Sequence, residues 1–420
     1  MTVQQDRTTA DVTTAEKHRR GTPGYRRITW GLFAAGLSTF VALYCTQALL
    51  PSLTTAFHLD PATSALAVSV ATGAVALAII PASTLSERFG RTRVMTIAAV
   101  ASAVIGLLLP LSPTFPVLLI GRALQGIALA GVPAVAMAYL AEEVHGTTLG
   151  AAMGRYIAGN TIGGLLGRLI PGSVLDLVPG FAGWRWALGV TGLAATAFTV
   201  LFLRWAEPSR FFVPRRIGIR SLARQLAGHL RTPSLLALFA LAFVLMGGFV
   251  SVYNFVGFRL TTAPFDLPQG IVGLVFLLYL SGTWSSAAAG RWADRFGRPT
   301  VLLSGVVATA VGLLLTLPDH IGTMIPGLLL FTAGFFAAHS VASSWVGSIA
   351  TEHRAQASSL YLFGYYLGSA AAGAAGGVFW SASGWAGVVL FVGALLIVGI
   401  GLAVVITATT RIAGKRVLAG

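Results

Sequence analysis

This 420-residue chain contains twelve stretches of roughly 20 mostly apolar residues separated by short polar loops, which leaves it little choice of environment. A helix rises about 1.5 Å per residue, so ~20 apolar residues cross the ~30 Å hydrocarbon core of a bilayer. The first six stretches run 28–50, 63–84, 94–111, 117–140, 149–175 and 184–205. The second six run 235–258, 270–290, 301–317, 322–346, 358–380 and 385–408. Only 10% of the residues are charged, against about a quarter in soluble domains. The sequence therefore predicts an all-α membrane protein of twelve transmembrane helices.

The polar remainder sets the orientation. The formal net charge is +15, and all Lys and Arg except Arg122, Arg155, Arg168, Arg185 and Arg259 fall in alternate loops or in the two ends of the chain. Positive charge gathers on the cytoplasmic side of membrane proteins, so both termini are expected there. The same scatter of charge leaves no folded basic domain to hold nucleic acid. Residues 1–27 are polar, lack the apolar core of a signal peptide and read as a disordered cytoplasmic tail; the first span is expected to serve as an uncleaved targeting signal. Residues 206–234 form a basic linker in which 221–230 has the pattern of a helix lying on a membrane surface. Residues 409–420 form a second cytoplasmic tail. Trp30, Trp184, Trp205, Trp292 and Trp385 fall where an interfacial belt is expected. Cys45 is the sole cysteine, which excludes an intrachain disulfide and a cysteine metal site.

The two halves, 28–205 and 235–408, repeat each other. Glu87-Arg88-Phe89-Gly90-Arg91 follows span two, and Asp294-Arg295-Phe296-Gly297-Arg298 follows span eight in the same register. Tyr156, Gly159 and Gly163 of span five are echoed by Tyr361, Gly364 and Gly368 of span eleven. Two pseudo-symmetric six-helix bundles with a solute site between them near the midplane are the architecture of alternating-access carriers. Glycine accepts positive φ, so Gly90 and Gly297 can end a helix in a sharp turn. Glu87 and Asp294 can pair with nearby arginines or helix N-termini, and the cluster Glu87, Arg88, Gly90, Arg91, Asp294, Arg295, Gly297 and Arg298 can act as a gate or can simply fix topology.

These residues resemble the major facilitator superfamily, and within it the twelve-span drug:proton antiporters and sugar-efflux-like exporters of bacteria. The loop signature of that family, G-x-L-a-D-r-x-G-r-[KR], is matched at Leu85, Arg88, Gly90, Arg91 and Arg93, with Ser83 and Glu87 as departures, and more closely at 290–298. Arg122-x-x-Gln125-Gly126 is similar to its R-x-x-Q-G signature in span four. The glycines of 159–167 are similar to its antiporter motif, although Arg168 stands where the family has proline. The resemblance implies a monomeric, multi-pass protein of the bacterial inner membrane that moves a small solute, with protons as a second partner, and that needs no cofactor and is not an enzyme.

Candidate solute or coupling residues follow from polarity inside the spans. An arginine in lipid is costly unless it faces a polar cavity, so Arg122, with Gln125 one turn on, either contacts solute or a proton carrier, or bonds backbone carbonyls or snorkels to the nearby outer surface. Arg168 adds a second charge. Tyr44 and Gln47 on span one, Tyr253 and Asn254 on span seven, Tyr156 and Asn160 on span five, and Tyr361 and Tyr365 on span eleven offer hydrogen bonds either to a solute or between helices. No Asp or Glu sits deep in any span, so His339 on span ten is the candidate proton carrier, or else a neutral histidine bonded to Ser340, Ser343 or a neighbouring helix. Two arginines without an opposing acid also fit a carrier of an anionic or polyhydroxyl solute. No nucleotide-binding loop, His-Glu metal spacing or serine elbow is present.

Overall fold

The computed structural model describes residues 17–178, 180, 182–214 and 218–418. Arg215, Arg216, most of the expected N-terminal tail and the last two residues lie outside them. Among the described residues the chain is helical, apart from one isolated bridge between His18 and Val144.

Twelve spans form two six-helix bundles. Spans one to three are Pro23–Phe57, Pro61–Phe89 and Arg91–Leu111. Span four is split into Phe115–Leu129 and Ala136–Glu143. Spans five and six are Gly146–Leu177 and Gly183–Trp205. Spans seven to ten are Pro233–Thr261, Gln269–Phe296, Arg298–Leu314 and Ile321–Ile349. The last two spans share Arg354–Leu418, which breaks at Ser383 and Gly384, where φ of Gly384 is +57°. Leu77, Ile97, Leu193, Leu390 and Ile397 are more than half exposed on the outer surface, which is where lipid stands in for a core.

Small residues bring the spans together the same way in each half. A Cβ on Gly159, Gly163 or Gly167 of span five would lie within 2.7 Å of the Phe33, Leu37 or Val41 carbonyl oxygen of span one. A Cβ on Gly364 or Gly368 of span eleven would meet the Phe239 or Phe243 carbonyl of span seven as closely. Without a hydrophobic drive between helices in lipid, such close backbone approach is what holds them. Gly159, Gly163 and Gly167 thus pack span five on span one inside one half, while Gly172, further along, faces Gly273 of span eight across the interface.

Three further details differ from the sequence reading. Residues 17–27 are not disordered: Thr22 caps the first helix, Pro23 starts it, and His18 pairs through its backbone with Glu143 and His145. The linker helix is Ile219–Leu230, slightly longer than expected. Trp184 and Trp385 are buried, and the Trp385 indole donates to the Thr316 carbonyl, so they pack the bundle ends while Trp30 and Trp292 remain exposed.

Candidate functional site

The centre of the first half is built around a break in span one. Pro51 has no N–H and its ring crowds the carbonyl four residues back, so the helix that begins at Pro23 stops at Tyr44 and resumes, through the 3₁₀ turn Gln47–Leu49, at Leu50. Carbonyls exposed by the break need donors. Arg122 supplies them: Nη1 donates to Ala42 O at 2.9 Å, Nη2 to Leu43 O at 2.6 Å and Nε to Ala67 O of span two at 3.0 Å. Nη1 also donates to Gln125 Oε1, and Gln125 Nε2 donates to Ser102 O. Arg122 is fully buried, with every guanidinium nitrogen on an acceptor of its own half. Of the roles open to it, the geometry is that of bonding backbone carbonyls, as a brace across a broken helix.

Arg168 is different. It is also buried, at 2% exposure, but stands where the halves meet. Nε donates to Gln47 Oε1 at 2.6 Å and Nη1 to Gly164 O at 2.6 Å. Its Cζ lies 4.0 Å from the ring centre of Tyr44, 4.4 Å from Tyr279 and 5.4 Å from Phe276, the last two on span eight of the other half. Gln47 Nε2 donates across the interface to Asn254 Oδ1 at 2.8 Å. Among the described residues no ion pair includes Arg168.

The facing wall of the second half is aromatic. Phe249 stacks on Phe335 with centroids 4.0 Å apart and meets Tyr253, Tyr279 and Phe331 within 6 Å. Tyr253 shares a 2.7 Å hydrogen bond with the Thr332 hydroxyl. Towards the basic loops the wall continues through Tyr365, whose ring lies 4.8 Å from that of His339, to Tyr361, whose hydroxyl is 2.9 Å from His339 Nδ1. His339 bonds a neighbouring span, not Ser340 or Ser343.

The halves meet on the side away from the basic loops. Asp176 Oδ1 of span five accepts from the Gly270 N–H that opens span eight, at 2.9 Å. Gln269 Nε2 donates to Ala48 O at 3.1 Å. A Cβ on Gly377 of span eleven would be 2.5 Å from Ala62 of span two, and one on Gly73 would be 3.2 Å from Ala370. All these contacts lie between the span midpoints and that far face.

At the basic face the two loop copies turn alike and are tied differently. Gly90 and Gly297 have φ of +97° and +84°. Arg91 makes two hydrogen bonds to Glu142 Oε1, at 2.8 and 3.1 Å, and one to Ser86 Oγ at 2.6 Å. Among the described residues Arg298 donates only to the Ser348 hydroxyl, at 2.5 Å. Arg88 and Arg295 lie over their neighbours Phe89 and Phe296. Glu143 is wholly buried and accepts from the backbone N–H of Arg210 at 2.6 Å and of Phe211 at 3.0 Å, so the start of the linker is fastened to span four. Burial pushes the Glu143 carboxyl above its ordinary range, and burial with Arg210 nearby lowers the His18 imidazole.

The structure thus sorts the sequence candidates. Tyr44, Gln47, Arg168, Tyr253 and Asn254 converge at the interface; His339, Tyr361 and Tyr365 form a strip beside it. Arg122 and Gln125 brace span one. Tyr156 and Asn160 lie in the packing of span five on span one, where a Cβ on Gly36 would sit 2.4 Å from Asn160 Oδ1. Sequence reasoning missed Tyr279 and Phe276, whose signal was a lone phenol in the apolar run of span eight, and Glu142, near the end of span four.

A model described as Major Facilitator Superfamily matches residues 32–287 and 262–417. The chain is 40% identical to a Bacillus subtilis (strain 168) protein named uncharacterized MFS-type transporter YybF, over 95% of this chain and 98% of that one. It is 44% identical to the inner membrane transport protein YnfM of Escherichia coli (strain K12), over 91% of each. A crystal structure of a bacterial homolog to human lysosomal transporter Spinster, in an inward-facing and unoccupied conformation, superimposes with a TM-score of 0.75 at 15% identity, covering 93% of this chain and 98% of that one.

Proposed function

This chain belongs to the major facilitator superfamily and is a membrane transporter, and from that premise we propose that it is a secondary carrier working by alternating access, exporting a small molecule in exchange for protons. The observation that carries the reading is the interface: two related bundles joined from their midpoints to one face, with polar residues of both halves gathered at the midpoint. Rocking about that interface exposes the midpoint to one side at a time. The positive-inside rule makes the basic face cytoplasmic, so the state described is closed to the outside. The repeated loops with Glu87, Arg91, Asp294 and Arg298 then gate the inner side, and His339 is the proton-carrier candidate. The Arg91–Glu142 pair is a tie the gate can exchange when the halves close.

A second reading, an importer or facilitator of an anionic or polyhydroxyl solute, is favoured by one observation: the interface arginine has no carboxylate partner among the described residues. Uptake and efflux in proteoliposomes, over a range of compounds and with or without an imposed pH gradient, separates the two. Gradient-driven efflux that His339→Ala abolishes supports proton-coupled export. Inward counterflow of one anion, indifferent to pH, would replace it with the second reading.

A further inference from the structure

We infer that the interface cluster of Arg168, Gln47, Asn254 and Tyr279 binds the carboxylate of a small organic acid whose apolar body lies against the aromatic wall of the second half. The inference rests on the alternating-access reading and adds the chemistry of the solute.

The argument runs along the hydrogen bonds. A guanidinium can only donate, so Gln47 must present its oxygen to Arg168 Nε. Its NH₂ is thereby turned outward, and Asn254 must present its own oxygen to receive it. That fixes Asn254 Nδ2 as a donor, and it has no partner although the residue is 1% exposed. The Tyr279 hydroxyl has no partner either, at 6% exposure. Arg168 Nη2 makes no hydrogen bond to any described residue. Three groups able to donate are left over, and the amide relay has consumed both of its acceptors. Buried donors without acceptors carry a desolvation penalty, and a buried charge without a counter-charge carries a larger one.

Arg122 shows that this chain can fully satisfy a buried arginine when it serves only as a brace. Arg168 is held by two of its three nitrogens and by rings. Cation–π contact with Tyr44 and Tyr279 offsets part of the charge and keeps the guanidinium in place. What completes the set is an anion with two acceptor oxygens, able to accept from Arg168 Nη2 and from the neighbouring Asn254 and Tyr279 donors. The ring wall of Phe249, Phe276, Tyr253 and Phe335 beside it suits an apolar or planar body and offers nothing to a second charge.

The test uses purified full-length protein in detergent, with benzoate, cinnamate and cyclohexanecarboxylate as probes and benzamide as the uncharged control. At least one carboxylate should raise Tm saturably while benzamide at equal concentration does not. Arg168→Gln should weaken that response by about tenfold or more, as expected for loss of a charged hydrogen-bond donor. Gln47→Glu is the second arm: it places a carboxylate on the atom that already accepts from Arg168, so it should raise the ligand-free Tm and abolish the response. Benzamide acting as strongly as benzoate, no response to any of the three acids, or Gln47→Glu leaving the response intact would each overturn the inference and mark Arg168 as a tie between the halves. Counterflow of a neutral solute in liposomes, alongside absent carboxylate binding, would sink this inference and leave the transport reading standing.

Discussion

The two halves of this molecule share a scaffold and divide the chemistry. In both, a glycine-bearing helix packs backbone to backbone on a partner, span five on span one and span eleven on span seven. In both, an acid-Arg-Phe-Gly-Arg loop turns through a positive-φ glycine. Yet the first half holds both deeply buried arginines and breaks spans one and four, whereas the second keeps spans seven and ten unbroken and fills its interior with rings. The difference teaches that close packing is the property the repeat preserves, because both bundles must solve the same problem in lipid. Charge is confined to one side of the interface, where a cation on one half can meet an aromatic wall on the other.

The shared part can be broken first, and with the largest effect. Gly163→Val and Gly368→Val put carbon where the Leu37 and Phe243 carbonyl oxygens are, 2.7 and 2.1 Å from the Cβ position. Overpacking costs about 1–3 kcal/mol even where neighbours can move, and here the neighbour is backbone. Both variants should lose folded protein in size-exclusion profiles. Survival of one but not the other would show that the halves are not held alike.

The unshared part gives the next largest effect. Arg122→Met removes the guanidinium from the Ala42, Leu43 and Ala67 carbonyls; Cys45 Sγ and Thr46 Oγ1 still donate to Ala42 O and Ala67 O, so Leu43 O loses most. An unsatisfied buried group costs about 1–3 kcal/mol, so Tm should fall. Arg122→Lys should recover only part, since one ammonium cannot reproduce a planar fork over three acceptors. No single substitution in span ten has this effect to mirror, since 321–349 contains no arginine. A mild Arg122→Met would mean that the break in span one is satisfied by other means.

A smaller contrast separates the loops. Arg91→Ala removes three hydrogen bonds to the Glu142 carboxylate and one to Ser86, from an arginine side chain only 12% exposed. Arg298→Ala removes one bond to a hydroxyl. The first should lower stability by about 1 kcal/mol and the second by under ~0.5 kcal/mol. Equal losses of stability, read from Tm, would make the two copies equivalent after all. Transport should follow the same order if the first copy carries the gate.

How much of this was legible beforehand follows from the physics of each feature. The twelve spans were readable because bilayer thickness imposes a length, and the repeated loops because a sharp helix end needs glycine at Gly90 and Gly297. The break in span one was not read, although Pro51 stood in view: a proline's effect falls on the turn before it, and what completes the break, Arg122, comes from another helix. The pairing of Arg168 with Tyr279 was illegible for a related reason. Periodicity along span eight says which residues share its face, but only the packing of two halves says that this face meets span five. Trp184 and Trp385 misled because their position at span ends suits both a lipid belt and a buried plug, and sequence does not distinguish them.

The smallest effect concerns the one place where the first half reaches beyond its bundle. Glu143 fastens the linker through the N–H groups of Arg210 and Phe211, whereas the acid after span ten, Glu352, follows Ala350 and Thr351 and is exposed. Burial raises the Glu143 pKa in the folded state. A folded protein that binds its proton more tightly than the unfolded chain loses stability as pH rises, from the ordinary carboxylate range up to the raised value, beyond which the loss is complete. His18, lowered by burial and by Arg210, acts oppositely: stability is lost as pH falls from the ordinary histidine value to its depressed one. Docking of residues 17–22 and 206–214 should therefore be weakest between the ordinary carboxylate and histidine ranges, where both contributions are partly lost, with Glu142, Glu207 and Arg210 as the other charges nearby. Glu143→Gln keeps one acceptor oxygen and cannot ionise, so only the histidine limb should remain, and cleavage of the linker by protease should fall with rising pH and then level off. An unchanged profile in Glu143→Gln would show that this carboxyl does not set the docking, and that the first half holds its linker by backbone contacts alone.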